Sequence, residues 1–508
     1  MDRRDEQKRR GLATNSIFGV AAWFLPLALG FISTPIIVHS LGVEQYGVYA
    51  IVLGFLSYSF TFGIGRVAAK YVAEFNAAGQ KDNAARAVIA TFFFTILIAA
   101  VGAGVLIALT PWIISDVLLL PDEFVEPATI ALYIAIAAGV ATMLSQVFQS
   151  TLQGLHRFGT YLGISTTFSI LLTGGNILIA KSGHGLVALI GWNLFTTITS
   201  AIVFYFFAVT GLKDFRPTVH IGKDLIYAVA TYGLSIILYQ IFGNLLFIFE
   251  RAWIVRNHGP EELTFFFVPM LLGIYLHGFI SSFSLALFPR LNELLTDRGQ
   301  MEMLYQKATA VVFSIAVMGV VTLIVSGRTF LGTWVGTEFA LRSYPMLVIH
   351  SITFGLIALF VVVWALSETY KAPSFNVLIT FVWLITAVFI VLAAGSETGS
   401  ITVAAARLIG VVVTVPMILY LEHRFLGRIQ LKFWLRTVFF VTLASAALSA
   451  IQSVALRAFP KDWIGLIAGM AVGGAVYVSL LIFTGILERT QIDAILKKIL
   501  GENRYQPE

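Results

Sequence analysis

Four cations and two carboxylates stand where the sequence makes charge costly. Arg66 and Lys70, one helical turn apart, follow an apolar segment, and Arg290 follows another. Arg407 lies about seven residues inside a third, where a charge normally faces an aqueous cavity. Arginine suits the binding of an anion because its planar fork bonds two phosphate or carboxylate oxygens at once, whereas lysine acts as a point charge. Glu250 and Glu368 close apolar segments, and a carboxylate there can exchange a proton or cation as its access changes. Each has a plainer reading. Arg66, Lys70 and Arg290 could anchor helix ends, Arg407 could snorkel outward or pair with Glu397, and the carboxylates could form interfacial anchors or salt bridges. Adjacent Glu250 and Arg251 point away from each other on a helix, so each needs a partner elsewhere.

Other chemistries find no support. Cysteine is absent, which removes a disulfide framework, a thiolate nucleophile and Cys-type metal sites. No Walker A sequence, H-E-x-x-H or nucleophile elbow occurs, so no metal, cofactor or catalytic residue is expected. Asp116, Asp122, Glu123 and Glu126 form one acidic cluster on a short loop, too little for a membrane polymerase or glycosyltransferase that works on a substantial outer loop. His277 and His350 can titrate near neutral pH, but lie in or beside apolar helices where a packed, hydrogen-bonded role is simpler. Pro26, Pro35, Pro269 and Pro416 can kink such helices.

The elements that must position these groups follow from composition. The chain has 508 residues, of which 58% are hydrophobic and 12% charged, and a mean hydropathy of +0.88. A soluble fold could not bury so much apolar surface. Apolar stretches of about 20 residues recur to about residue 484, the length needed to cross roughly 30 Å of hydrocarbon. They predict an all-α integral membrane protein of about fourteen helices, at 13–38, 47–65, 87–114, 127–149, 158–181, 185–209, 225–249, 263–288, 306–330, 344–367, 374–394, 400–422, 433–456 and 463–484. No connector is long enough for a separate soluble domain.

With the N-terminus on the cytoplasmic side, the even-numbered loops and both termini hold about 25 of the 33 Lys and Arg, and the opposite side about seven. This predicts cytoplasmic termini, and it explains the net charge of +6 without a nucleic-acid partner. The basic opening 1–12 precedes the first span. In the tail 485–508, Ile492, Ile495, Leu496, Ile499 and Leu500 predict a short amphipathic helix on the cytoplasmic face; the stretch from Arg66 to Arg86 is a second candidate for that surface.

A shift of about 217 residues lays PIIVHSLGVEQYGVYAI, from Pro35, over AWIVRNHGPEELTFFFV, from Ala252, so that Gly42 and Glu44 meet Gly259 and Glu261. Six helices separate the copies, an even number, so the halves would be parallel. The organisation expected is a six-helix lobe at 13–210, a second at 225–422, and two additional helices at 433–484.

The segments LGVEQYGVYAI, from Leu41, RVAAKYVAEF, from Arg66, and FPRLNEL, from Phe288, resemble the Wzx-like polysaccharide flippases of the MOP (multidrug, oligosaccharidyl-lipid, polysaccharide) superfamily. The resemblance covers essentially the whole chain. It implies two six-helix lobes around a central cavity that opens alternately to either side, in the inner (plasma) membrane. The cargo it implies is an undecaprenyl-diphosphate-linked oligosaccharide carried outward for cell-surface polysaccharide biosynthesis, with membrane lipids and polysaccharide-assembly proteins as partners. In such flippases cavity arginines receive the diphosphate, a role that falls here on Arg66, Arg290 and Arg407, with Lys70 on the same face as Arg66. The lipid tail can stay in a groove formed partly by the last helices. Asn176, Asn193 and Asn244 could offer hydrogen bonds to sugars, although helix packing uses such residues equally. A drug and cation exporter of the same superfamily typically has twelve helices, so the two extra spans weigh against that reading.

Overall fold

A computed structural model describes residues 25, 28–60, 63–212, 222–282, 287, 290–292, 294–295, 297–370, 372–397, 399–459 and 463–488. The basic opening, Pro26 and the expected amphipathic tail helix lie outside these residues. Among the described residues the chain is helical and contains no strand. A bilayer requires this, because a spanning backbone must satisfy its own hydrogen bonds.

The helices are α1 (Ala28–Leu41), α2 (Val43–Phe60), α3 (Gly65–Ala77), α4 (Lys81–Trp112), α5 (Asp122–Gly154), α6 (Phe158–Lys181), α7 (Gly185–Gly211), α8 (Lys223–Ser281), α9 (Arg298–Trp334), α10 (Thr337–Thr369), α11 (Ser374–Ala394), α12 (Ser400–Leu426), α13 (Leu431–Ala458) and α14 (Trp463–Phe483). Among the described residues, twelve helical runs are long and apolar enough to cross a membrane. The difference from about fourteen has two causes. Only part of the first span is described, and α8 joins the expected seventh and eighth spans through Gly259, whose φ of +83° breaks the helix.

The chain divides into two compact units, Met1–Thr264 and Phe265–Glu508. The first limb of α8 therefore belongs to the first unit. There α5 is central and packs on α2, α3, α4, α6 and α7. Small side chains allow it: a Cβ at Gly139 would fall 2.2 Å from the Phe60 ring, and one at Gly154 would fall 2.8 Å from the Ala69 carbonyl. In the second unit α9 packs on α10, α13 and α14, while α12 packs on α10 and α11.

The repeat acquires a structural counterpart inside the first unit. Gly42 and Gly259 both hold positive φ, +80° and +83°, each between two helices. The starts of the following helices then meet. Thr264 donates to the Val43 carbonyl, and Gly47 lies so close to the Pro260 carbonyl that no Cβ would fit. The shift that overlays the two glycines also overlays Val43 on Pro260 and Gly47 on Thr264. The two contacts thus exchange partners, as they do across a two-fold axis.

Candidate functional site

The first unit builds a cationic stripe on α3. Val67, Ala68 and Val72 are fully buried, while Arg66, Lys70 and Glu74, four residues apart, are exposed along the opposite face. The buried face is pressed onto α5: a Cβ at Gly65 would meet Ser150 Oγ at 2.2 Å and the Gln146 carbonyl at 2.6 Å. The rotation of α3 is therefore set by packing, and the cations face away from the core. Arg66 was expected to end the second span. Instead α2 ends at Phe60, and Arg66 sits in the first turn of α3. Lys70 Nζ lies 4.3 Å from the ring centre of Tyr232 on α8 and 4.9 Å from that of Tyr71. The two π faces favour a cation there at little desolvation cost.

A second cluster joins α2 to α8. Glu250 and Arg251 are 1% and 2% exposed. Expected to end a helix, they lie inside one that runs two further turns to Gly259. The Arg251 guanidinium sits 4.8 Å from the Tyr58 ring centre and donates from Nη1 to the Phe247 carbonyl at 3.1 Å. Tyr58 and Phe247 are themselves stacked, with centroids 4.7 Å apart. Gly54 makes room, because a Cβ there would come 2.8 Å from Arg251 Cδ. The Asn244 amide donates to the Tyr58 carbonyl at 2.9 Å, which joins two helices. Farther along α8, Arg256 donates to the Asp116 carbonyl.

In the second unit Arg407 is 3% exposed in α12, with its guanidinium 5.8 Å from the ring centre of Phe354 on α10. Glu397 is exposed on the preceding turn. Arg290 is exposed beside the fully buried Leu291. Glu368 is exposed at the end of α10, where the Asn376 amide approaches it at 3.5 Å and Asn376 accepts from Ser367 at 2.6 Å. His350 is buried edge-on to Phe266, with centroids 4.6 Å apart.

Sequence reasoning passed over Glu422. It is fully buried near the end of α12 and accepts from Tyr305 Oη at 2.8 Å, Trp434 Nε1 at 2.7 Å and the Gln430 backbone N–H at 3.0 Å. It ties α9, α12 and the start of α13 together. In the sequence it stands beside His423 and Arg424, where any carboxylate looks like a surface anchor. The readable signal is distant: Tyr305 and Trp434, two aromatic donors at the ends of other apolar segments. Among the described residues no group of three or more His, Asp or Glu could hold a metal ion.

Apolar helices of this length around buried, aromatic-lined cations define a multi-pass membrane protein. The sequence model of the family described as polysaccharide biosynthesis protein matches residues 12–295, more than half of the chain, and the chain belongs to that family. A curated relative from Shigella flexneri, named "Putative O-antigen transporter", is 21% identical over 348 residues, covering 68% of this chain and 82% of its own. Among solved structures, the lipid II flippase MurJ in an inward closed conformation superposes with a TM-score of 0.72 at 14% identity, covering 92% of this chain and 98% of its own. An inward-facing multidrug resistance MATE transporter of the MOP superfamily superposes at 0.62 and 15% identity, covering 80% and 94%. These likenesses show the fold that the chain shares with them, and the proteins compared are named as a transporter or a flippase.

Proposed function

We propose that this chain is a flippase that moves a polyprenyl-diphosphate-linked oligosaccharide from the cytoplasmic to the outer leaflet by alternating access, with Arg66 and Lys70 among the groups that receive the diphosphate. The family's description and the O-antigen transporter name of the relative support a substrate of this class. The observation that carries the reading is the α3 stripe: two cations on one exposed face, fixed in orientation by the Gly65 contacts, with Lys70 held between tyrosine rings. A diphosphate leaving water needs permanent positive charge at a preorganised place, and such a stripe offers it without first breaking an internal ion pair. Arg290 and Arg407 complete the set proposed for the second unit. Glu250 and Glu368 are the proposed coupling carboxylates. The distribution of Lys and Arg supports cytoplasmic termini, and the inner-membrane location is proposed with the flippase reading.

The test is transport in proteoliposomes with a fluorescent polyprenyl-diphosphate disaccharide, read as its appearance on the far leaflet. Wild-type protein is expected to move it, and Arg66→Ala and Arg290→Ala to slow movement at least about tenfold, the cost of one charge-assisted contact. Absence of movement by wild type under proton and sodium gradients, with efflux of a cationic drug in its place, would convert the reading to an exporter of the MATE type.

A further inference from the structure

The first unit contains a cavity that the cationic stripe does not explain. It measures about 580 Å³, lies between α2, α4, α5 and α8, and is lined almost wholly by apolar atoms. Phe60 of α2 forms one wall, held in place by its contact with Gly139 of α5. Leu97 and Val101 of α4 and Ile241 of α8 form others. Gly102 leaves the space open, since a Cβ there would find only the edge of the Phe60 ring, 4.0 Å away. The α4 rim faces outward: Leu97 is 61% and Val101 59% exposed on a membrane-spanning helix. The cavity is therefore accessible from hydrocarbon.

Its position relative to the cations identifies an occupant. Ala90 of α4 and Val229 of α8 pack together against Val67 of α3, with Phe94, Tyr71 and Tyr232 around them. These are the surroundings of Lys70. The cavity begins at Leu97 and Ile237, one to two turns farther along the same two helices. At 1.5 Å per residue, Ile241 lies about 13 Å beyond Tyr232 along α8. One line along the unit thus passes from cations to aromatic rings to an apolar chamber. An anionic headgroup with a long hydrocarbon chain has the same order of parts. The chamber has room for roughly twenty carbons, on the scale at which a ~150 Å³ apolar cavity takes up benzene.

We infer that this cavity holds the first isoprenoid units of the lipid-linked ligand while the α3 cations hold its diphosphate. The inference rests on the flippase reading and adds the place of the tail, in the first unit rather than in a groove of the last helices. Burial of the chain beside its own headgroup would hold both parts of the amphiphile on one rigid unit, so that a movement of that unit carries them together.

The experiment is photolabelling of purified full-length protein in vesicles of phosphatidylethanolamine and phosphatidylglycerol. The probe is a polyprenyl-diphosphate disaccharide carrying a diazirine on an isoprene unit near the diphosphate, and the adducts are mapped by mass spectrometry. Adducts are expected in 97–106 and 237–248, falling at least fivefold with excess unlabelled ligand and unchanged by extra phosphatidylglycerol. Gly102→Phe, which fills the chamber, should lower them to a similar degree, and Gly102→Leu provides a milder filling if the larger side chain prevents folding. Adducts confined to α13 and α14 would overturn the inference, as would cavity adducts that phosphatidylglycerol competes away. Transport of the ligand by wild-type protein in the same vesicles separates the two claims. Transport with adducts elsewhere defeats this inference alone, whereas no transport and no competable adduct defeats the flippase reading and this inference with it.

Discussion

The α3 stripe and the Glu422 cluster are two opposite ways of keeping charge in a membrane protein. On α3, Arg66 and Lys70 are exposed on a helix whose other face is locked into α5, so their positions are fixed while their charge stays available. At the end of α12, Glu422 is completely enclosed, and the three donors it accepts from come from α9 and from the start of α13. An exposed charge costs little to keep and can be offered to a ligand. An enclosed charge satisfied from several directions has become part of the framework, and its removal strands its partners. Substitutions should therefore separate stability from transport between the two regions.

The largest loss of stability is expected from Glu422→Ala. It leaves the Tyr305 hydroxyl, the Trp434 indole and the Gln430 N–H without their acceptor, at about 1–3 kcal/mol for each buried donor left unsatisfied. A total near 3–5 kcal/mol should lower the thermal midpoint in detergent by many degrees. Glu422→Gln, which keeps an acceptor, should recover much of it. An alanine variant that melts with wild type would refute the framework role.

Gly47→Val should come next. Its Cβ would have to occupy the place of the Pro260 carbonyl, so α2 and α8 must separate. Overpacking of this kind costs about 1–3 kcal/mol. If the exchanged contacts around Gly47 and Thr264 open during transport, the variant should also lose transport beyond what its stability explains; equal losses in both measurements would make them structural alone.

How far these regions could be read in advance follows from the range of the forces involved. The spans are local: each is a run of apolar residues of the required length, so α6, α7, α11 and α14 were readable at nearly their observed bounds. The overlay of Gly42 on Gly259 was readable because a positive φ selects glycine. The ends of α2 and α8 were misjudged, because hydropathy cannot see a helix that breaks at Gly63 or continues past Arg251 in a packed seam. Glu422 and the Tyr58–Arg251 stack were illegible for another reason. The Tyr58–Arg251 stack and the Tyr305–Glu422 bond join residues over a hundred positions apart, and a single sequence holds no record of that proximity. Arg407 was expected to face an aqueous cavity, to snorkel outward or to pair with Glu397; its burial against Phe354, a residue of another helix, was not legible.

Lys70→Ala should cost far less stability, about 0.5–1 kcal/mol, the worth of a cation over aromatic rings at an exposed site. Tyr232→Leu tests the same contact from the other side. If the rings only position the ammonium for a ligand, Tyr232→Leu should weaken ligand binding severalfold while Lys70→Ala in that background adds less than it does alone. Additive losses would mean that the two residues act independently.

The smallest change in stability is expected from Arg66→Ala, and that makes it the sharpest test of the contrast. Arg66 lies on the exposed face of α3, while the contacts that hold this helix involve Gly65, Val67, Ala68 and Val72. Alanine is a better helix former than arginine by only a few tenths of a kcal/mol, so the melting curve should be nearly unmoved. Transport and binding of the diphosphate ligand should fall together at least about tenfold, and Arg66→Lys should restore only part, since a point charge cannot make the two parallel bonds of a guanidinium. Raised salt should weaken wild-type binding and leave the residual binding of Arg66→Ala less affected. A variant that transports normally would reduce Arg66 to an anchor at the start of α3 and leave Lys70 to hold the anion alone; one that unfolds would show that the exposed stripe, like Glu422, belongs to the framework.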